Sequence, residues 1–272
     1  MENRSNMTVD MQTTPSKARL YTGYTFTALA ILFFLMDASM KFTTNPQVIA
    51  AQTQLGFPMR LTPGIGVLAI ICTMLYAIPT TSVLGALLLT GYLGGAIALH
   101  LRVDNPLFTH TLFPIYIALF IWGGIWLRDR TLRDLFPITH SPTVREASKK
   151  LWTGYVLTAI SALFILFTAV MKFVYHPQAG DPPPMFPLHH IHHLAYLEII
   201  CIALYLIPAT SFSGAVLMTG YLGGATCINL RGGDIPSCLI TVLIGVVLWA
   251  GLWLRDARLR GLFPLRSSAS RG

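Results

Sequence analysis

Charge is scarce in this chain. Only 11% of its 272 residues are Asp, Glu, Lys or Arg, where a soluble domain carries about 25%. A body of this size with so few charges cannot coat its own surface in water, which argues against an ordinary soluble enzyme. The same scarcity excludes intrinsic disorder, which needs low hydrophobicity and high net charge. Cysteine is sparse too. Cys72, Cys201, Cys227 and Cys238 lie inside apolar stretches and no pair is spaced C-x-x-C, so buried thiols are expected rather than a disulfide framework. No nucleophile triad, nucleotide loop or acid/base constellation spaced for chemistry stands out. The expectation is a chain without catalytic activity of its own.

What is abundant is apolar sequence. Hydrophobic residues make up 54% of the chain and the mean hydropathy is +0.61. That composition calls for a polytopic membrane protein, with lipid against most outer side chains.

The chain repeats itself. Thr22-Gly23-Tyr24 recurs as Thr153-Gly154-Tyr155, and Met40-Lys41-Phe42 as Met171-Lys172-Phe173. Thr90 to Ala96 (TGYLGGA) recurs letter for letter from Thr219 to Ala225. Pro79–Arg102 and Pro208–Arg231 match at 15 of 24 positions without a gap. Each copy holds four apolar runs: 20–42, 61–78, 81–101 and 107–127, then 151–174, 191–207, 210–230 and 235–254. About 20 helical residues cross a bilayer core, and backbone in lipid must pair internally, so the runs are helices. The expected fold is an all-α integral membrane protein of two parallel-repeat four-helix bundles, eight transmembrane helices in all. The expected units are a polar tail (1–19), a four-helix unit (20–137), a linker (138–150), a second unit (151–264) and a tail (265–272). Pro79 and Pro208 end one helix of each tight hairpin, with Ser82 and Ser211 expected to cap the next.

Basic residues orient the chain. The ends and the linker together carry 14 of the 19: Arg4, Lys17, Arg19, Arg128, Arg130, Arg133, Arg145, Lys149, Lys150, Arg255, Arg258, Arg260, Arg266 and Arg271. The other side carries Lys41, Arg60, Arg102, Lys172 and Arg231. The positive-inside rule then places both termini in the cytoplasm. The +8 excess is thus mainly an orientation signal, not a nucleic-acid patch. Arg128, Arg130 and Arg133 are expected near lipid phosphates. Tyr24, Tyr155, Trp122, Trp249, Trp126 and Trp253 are expected to anchor at the membrane interfaces.

Pro-x-T-S, G-A-x-L-x-T-G-Y-L-G-G-A and W-x-G-x-W-L-R-D-x-x-L-R-x-L-F-P resemble, in that order and twice over, the DoxX-like family of bacterial membrane proteins. The resemblance implies a four-helix membrane unit, here in tandem, in a bacterial inner membrane. The family name derives from a subunit associated with a thiosulfate:quinone oxidoreductase. A redox protein partner and a quinone are therefore implied alongside the lipid bilayer.

Intramembrane charges are the site candidates, because each costs about 2.5–3.5 kcal/mol at mid-membrane. Asp37 and Lys41, four apart, share a helix face and permit an ion pair. Lys172 repeats Lys41, while Thr168 replaces Asp37. With Arg102 and Arg231 the two lysines form a candidate cationic mouth, for an anionic ligand or a quinone head, or else snorkel to headgroups. Glu198 stands where the first copy has Ala69. It suits a proton or cation site in a small-solute or ion transporter, or a partner for Lys172 or Arg231. Gly91, Gly94 and Gly95, with Gly220, Gly223 and Gly224, are expected to pack helices closely. His189, His190 and His193 have helical spacing for a divalent metal, or form a solvated, pH-sensitive loop.

Overall fold

The computed structural model describes residues 16–139, 148–176, 185–262 and 264. Most of both tails, the heart of the linker and the Asp181-Pro-Pro-Pro stretch lie outside the described residues. Among the described residues ten α-helices follow one another: α1 (Lys17–Met40), α2 (Pro46–Leu55), α3 (Thr62–Ala77), α4 (Ser82–Arg102), α5 (Phe113–Arg128), α6 (Arg130–Leu135), α7 (Ser148–Val174), α8 (Leu188–Leu206), α9 (Ser211–Gly232) and α10 (Ile235–Arg255). Both α1 and α7 begin three residues before the boundaries expected from hydropathy.

Among the described residues six helices are long and apolar enough to cross a membrane. These are α1, α4 and α10, with Met59–Ala77, Leu107–Arg128 and Lys149–Val174. The remaining long pair, α8 and α9, aligns by repeat with α3 and α4 but is less apolar. Four histidines and Glu198 lie in α8. Small and hydroxyl residues fill α9, which faces protein on much of its surface. Large apolar side chains point outward, Leu32, Leu119, Leu163 and Leu239 among them. That inversion of the soluble pattern suits a lipid surround.

Each half closes on itself. In the first, α1 packs on α3 and α5, and α4 packs on both of these. In the second, α7 packs on α8 and α10, and α9 packs on both. The halves join through α4 and α9, the most extensive helix pair in the molecule. Small residues make this approach possible. A Cβ on Gly94 would sit 1.9 Å from the Gly220 carbonyl oxygen, and one on Gly223 would sit 2.1 Å from that of Gly91. Without hydrophobic driving force between helices in lipid, contact this close gains dispersion and packing energy.

The helical hairpins are tied differently from the expected caps. Thr81 and Thr210, not Ser82 and Ser211, occupy the N-cap positions, and neither side chain caps an N–H. Their hydroxyls instead donate back to the carbonyls of Leu75 and Leu204, at 2.7 and 2.8 Å. Ser82 and Ser211 donate to Pro79 and Pro208. The hydroxyls satisfy carbonyls that the proline step leaves without an N–H.

Two aromatic assignments are also corrected. Trp122 is buried and Trp249 is half-buried, inside the bundle. Their indole N–H groups donate to Thr90 and Thr219 at 3.0 and 2.8 Å, and both rings flank Phe212. A tryptophan near a span end suits either an interface or an interior hydrogen-bond acceptor; here the hydroxyls on α4 and α9 decide. Arg128 likewise turns inward, donating to Thr27 at 2.8 Å and to the Gly124 carbonyl at 2.9 Å. Arg133 donates to the Leu127 carbonyl. Buried carbonyls and hydroxyls offer these two guanidiniums fixed acceptors. Tyr24 and Tyr155 remain exposed, with Arg128 and Arg255 over their rings. Replacing Trp122 by Phe removes one interhelical hydrogen bond. The expected loss is about 1 kcal/mol, to be read as earlier unfolding in mild detergent.

Candidate functional site

Asp37 and Lys41 sit one turn apart at the end of α1, their side chains 21–23% exposed. The Lys41 ammonium donates to Asp37 Oδ1 at 3.0 Å. On the neighbouring α4, the Tyr92 hydroxyl donates to Asp37 Oδ2 at 2.5 Å. A carboxylate in this setting needs its charge matched and its lone pairs filled, and lysine and tyrosine supply both.

The second half keeps the same chemistry with a different carboxylate. Lys172 on α7 stands where Lys41 does, and Tyr221 on α9 where Tyr92 does. The acid comes from α8: Glu198, 2% exposed, accepts from Lys172 at 2.7 Å. The Thr168 hydroxyl also donates to Glu198, and the Tyr221 ring lies beside the Lys172 ammonium. Thr168 occupies the position of Asp37 and Ala69 that of Glu198. The carboxylate has moved from one helix to its neighbour while still meeting the same lysine.

The arginines form a separate group. Arg102 donates to the Leu55 carbonyl at 3.0 Å. The Nη2 atoms of Arg102 and Arg231 lie 2.6 and 3.4 Å from where a Cβ on Gly56 would be. Gly56 closes α2 in the left-handed region, at φ 64°. The helix α2 was not anticipated, although Asn45-Pro46 at its start and Gly56 at its end are strong boundary signals. Each lysine is held by an acid of its own half, and the arginines meet beside α2.

A cavity of about 1000 Å³ runs from this region along α4 to the junction with α9 and α10. Asp37, Lys41, Gln52 and Tyr92 line it, among mostly apolar neighbours such as Phe33, Leu88 and Leu222. The Gln52 side-chain oxygen is buried without a hydrogen-bond partner. Gly91, Gly95 and Gly223 also border the cavity, and Gly95 and Gly224 meet Cys227 and Ala98 across the junction. At the far end of the molecule from the linker, His189 and His190 face Asp104, whereas His193 stands apart from that group.

Sequence reasoning missed Tyr92, Tyr221 and Asp104. The tyrosines had a signal, being the one aromatic side chain inside the TGYLGGA stretch that recurs letter for letter. Asp104 had none; it is a loop residue after α4 that shares no local spacing with the histidines it faces.

The model of the DoxX-like family matches residues 25–124 and again residues 156–251. No curated protein and no solved structure matches the chain.

Proposed function

The chain belongs to the DoxX-like family, with the family unit present twice, and from that premise we propose that it is a non-catalytic membrane subunit that binds a quinone-class amphiphile for a redox partner. The observation that carries this reading is the cavity of about 1000 Å³, mostly apolar, with Lys41, Asp37, Tyr92 and Gln52 on its wall. That volume is at the upper end for a small-molecule site. The chemistry fits a ring with two oxygens and an isoprenoid tail. The Lys41 ammonium has three N–H groups, of which Asp37 takes one, leaving donors for a quinone carbonyl. The unpartnered Gln52 oxygen accepts from the hydroxyl of the reduced form. Apolar walls take the tail.

The second half is read as the structural copy. Glu198 is enclosed and held by Lys172 and Thr168, which suits a locked pair more than a site that loads and unloads. The same reading takes α8 and α9 as spans, making eight, since each pairs by repeat with a helix that qualifies. It also takes the membrane as the bacterial inner membrane, with both termini on its cytoplasmic side.

Purification in mild detergent followed by lipid extraction tests the binding. The expected result is about one quinone per chain, with affinity for a short-tailed quinone reduced about 10-fold in Lys41→Met, the worth of one hydrogen bond to a charged group. No retained quinone, with Lys41→Met titrating like the parent, would overturn it. The rival reading is a small-solute or ion transporter using Glu198. It requires flux in proteoliposomes that disappears in Glu198→Gln while the variant stays folded.

A further inference from the structure

Five residues of α8's first turn and a half, His189-His190-Ile191-His192-His193, contain four imidazoles. Helical spacing alone favours His189 with His193 as a pair. The fold sorts them differently. His192 stacks on Phe173, with ring centres 5.8 Å apart and planes 12° apart. The His193 ring is 6.3 Å from that of His190. His189 and His190 are closer, at 4.0 Å, and both turn their Nε2 atoms to one oxygen of Asp104, at 3.7 and 3.1 Å. Asp104 belongs to the other half. It follows α4 in a left-handed backbone conformation, φ 56°, which a non-glycine residue adopts at some cost.

We propose that His189, His190 and Asp104 form a divalent transition-metal site, of the Zn²⁺ class, that clasps the two halves together. The ligand atoms all lie within 4.8 Å of one another. A tetrahedral Zn²⁺ with nitrogen and carboxylate ligands at 2.0–2.2 Å sets neighbouring ligand atoms about 3.4 Å apart. The two observed separations from the Asp104 oxygen, 3.7 and 3.1 Å, straddle that value. A hydrogen bond accounts for the shorter distance only; 3.7 Å is too long for one. Two imidazoles and one carboxylate are a borderline-soft donor set, suited to Zn²⁺ over Mg²⁺ or Ca²⁺, which prefer oxygen. Asp104 and His189 are exposed, so water completes the shell and the ion exchanges with solution. The clasp stands at the same end of the molecule as Arg102 and Arg231, and its ligands come from the loop after α4 and the start of α8. It is independent of the quinone reading.

The test is titration of the purified full chain with Zn²⁺ in chelator-free mild detergent, read by calorimetry and by melting temperature. The proposal expects one saturable equivalent and a rise in melting temperature. His190→Ala and Asp104→Asn should each weaken binding by more than about 100-fold, beyond the effect of losing an outer-shell group, and abolish the rise. His193→Ala should bind as the parent does. Asp104 and His193 are exposed, whereas the His190 side chain is 15% exposed, so each variant's own metal-free melting temperature is the baseline from which the rise is read. Absence of saturable binding overturns the proposal. So does a site that survives Asp104→Asn but is lost in His193→Ala, which would place the metal on one helix face and leave the halves unclasped.

Discussion

Glu198→Ala should destabilise the chain by about 3 kcal/mol, and adding Thr168→Asp should restore most of the loss. Removing one partner of a buried ion pair leaves a charge without its match, which costs roughly 3–5 kcal/mol. Lys172 keeps 26% of its side chain exposed, so the low end applies. The rescue follows from the first half. There Ala69 leaves α3 uncharged, and Asp37, four residues before Lys41, reaches that lysine at 3.0 Å. Thr168 stands four residues before Lys172 in the same way. The double variant therefore rebuilds the first half's arrangement within the second. Thr168→Asp alone should also destabilise, because it sets a second carboxylate beside Glu198 with one lysine to share. Two harmful single changes that nearly cancel together are the signature of a shared site. The check is a double-mutant cycle of unfolding in mild detergent. Additive losses would mean that the two halves do not share this chemistry.

Gly94→Ala and Gly223→Ala should each cost about 3 kcal/mol or prevent folding, while Gly91→Ala and Gly220→Ala should stay within about 0.5 kcal/mol of the parent. The four glycines lie in the same two motifs, so composition cannot separate them. Position does. The new methyl groups at Gly94 and Gly223 would lie 1.9 and 2.1 Å from backbone carbonyl oxygens across the junction. No rotamer change relieves a clash with backbone, so the upper end of the 1–3 kcal/mol range for overpacking applies. At Gly91 and Gly220 the nearest atoms are 3.7 and 3.6 Å away, ordinary contact, and ordinary contact carries little penalty. Yield and melting temperature of the four variants decide it. Equal tolerance at all four positions would dissolve the proposed register between α4 and α9.

Several features were legible because they carry a cost that only lipid imposes. Lys41, Lys172 and Glu198 stand out in apolar runs, since charge there needs a partner. The small-residue stripe stands out because helices in lipid associate through close packing. Trp122 and Arg128 were misjudged for a related reason. Near a span end, an aromatic or a guanidinium satisfies the membrane interface or a buried oxygen equally well. The choice falls to Thr90 and Thr27, which arrive from other helices. Tyr92 and Tyr221 went unnoticed because a tyrosine in a span needs no explanation until a carboxylate is found beside it.

By itself the sequence determined the class of protein, the duplication and which residues had to find partners. Those are consequences of composition and local spacing, and the cost of charge or exposed backbone in lipid applies to any arrangement of the helices. The tertiary structure alone decided who the partners are. Glu198 had Lys172 and Arg231 as candidates, and only helix packing brought Lys172 within 2.7 Å. Asp104 lies 85 and 86 positions from the two histidines it faces, and no periodicity connects residues on separate helices. The scarcity of charge made each charged side chain conspicuous, but the packing of α4 against α9 set how the two halves, each with its own acid–lysine pair, fit together.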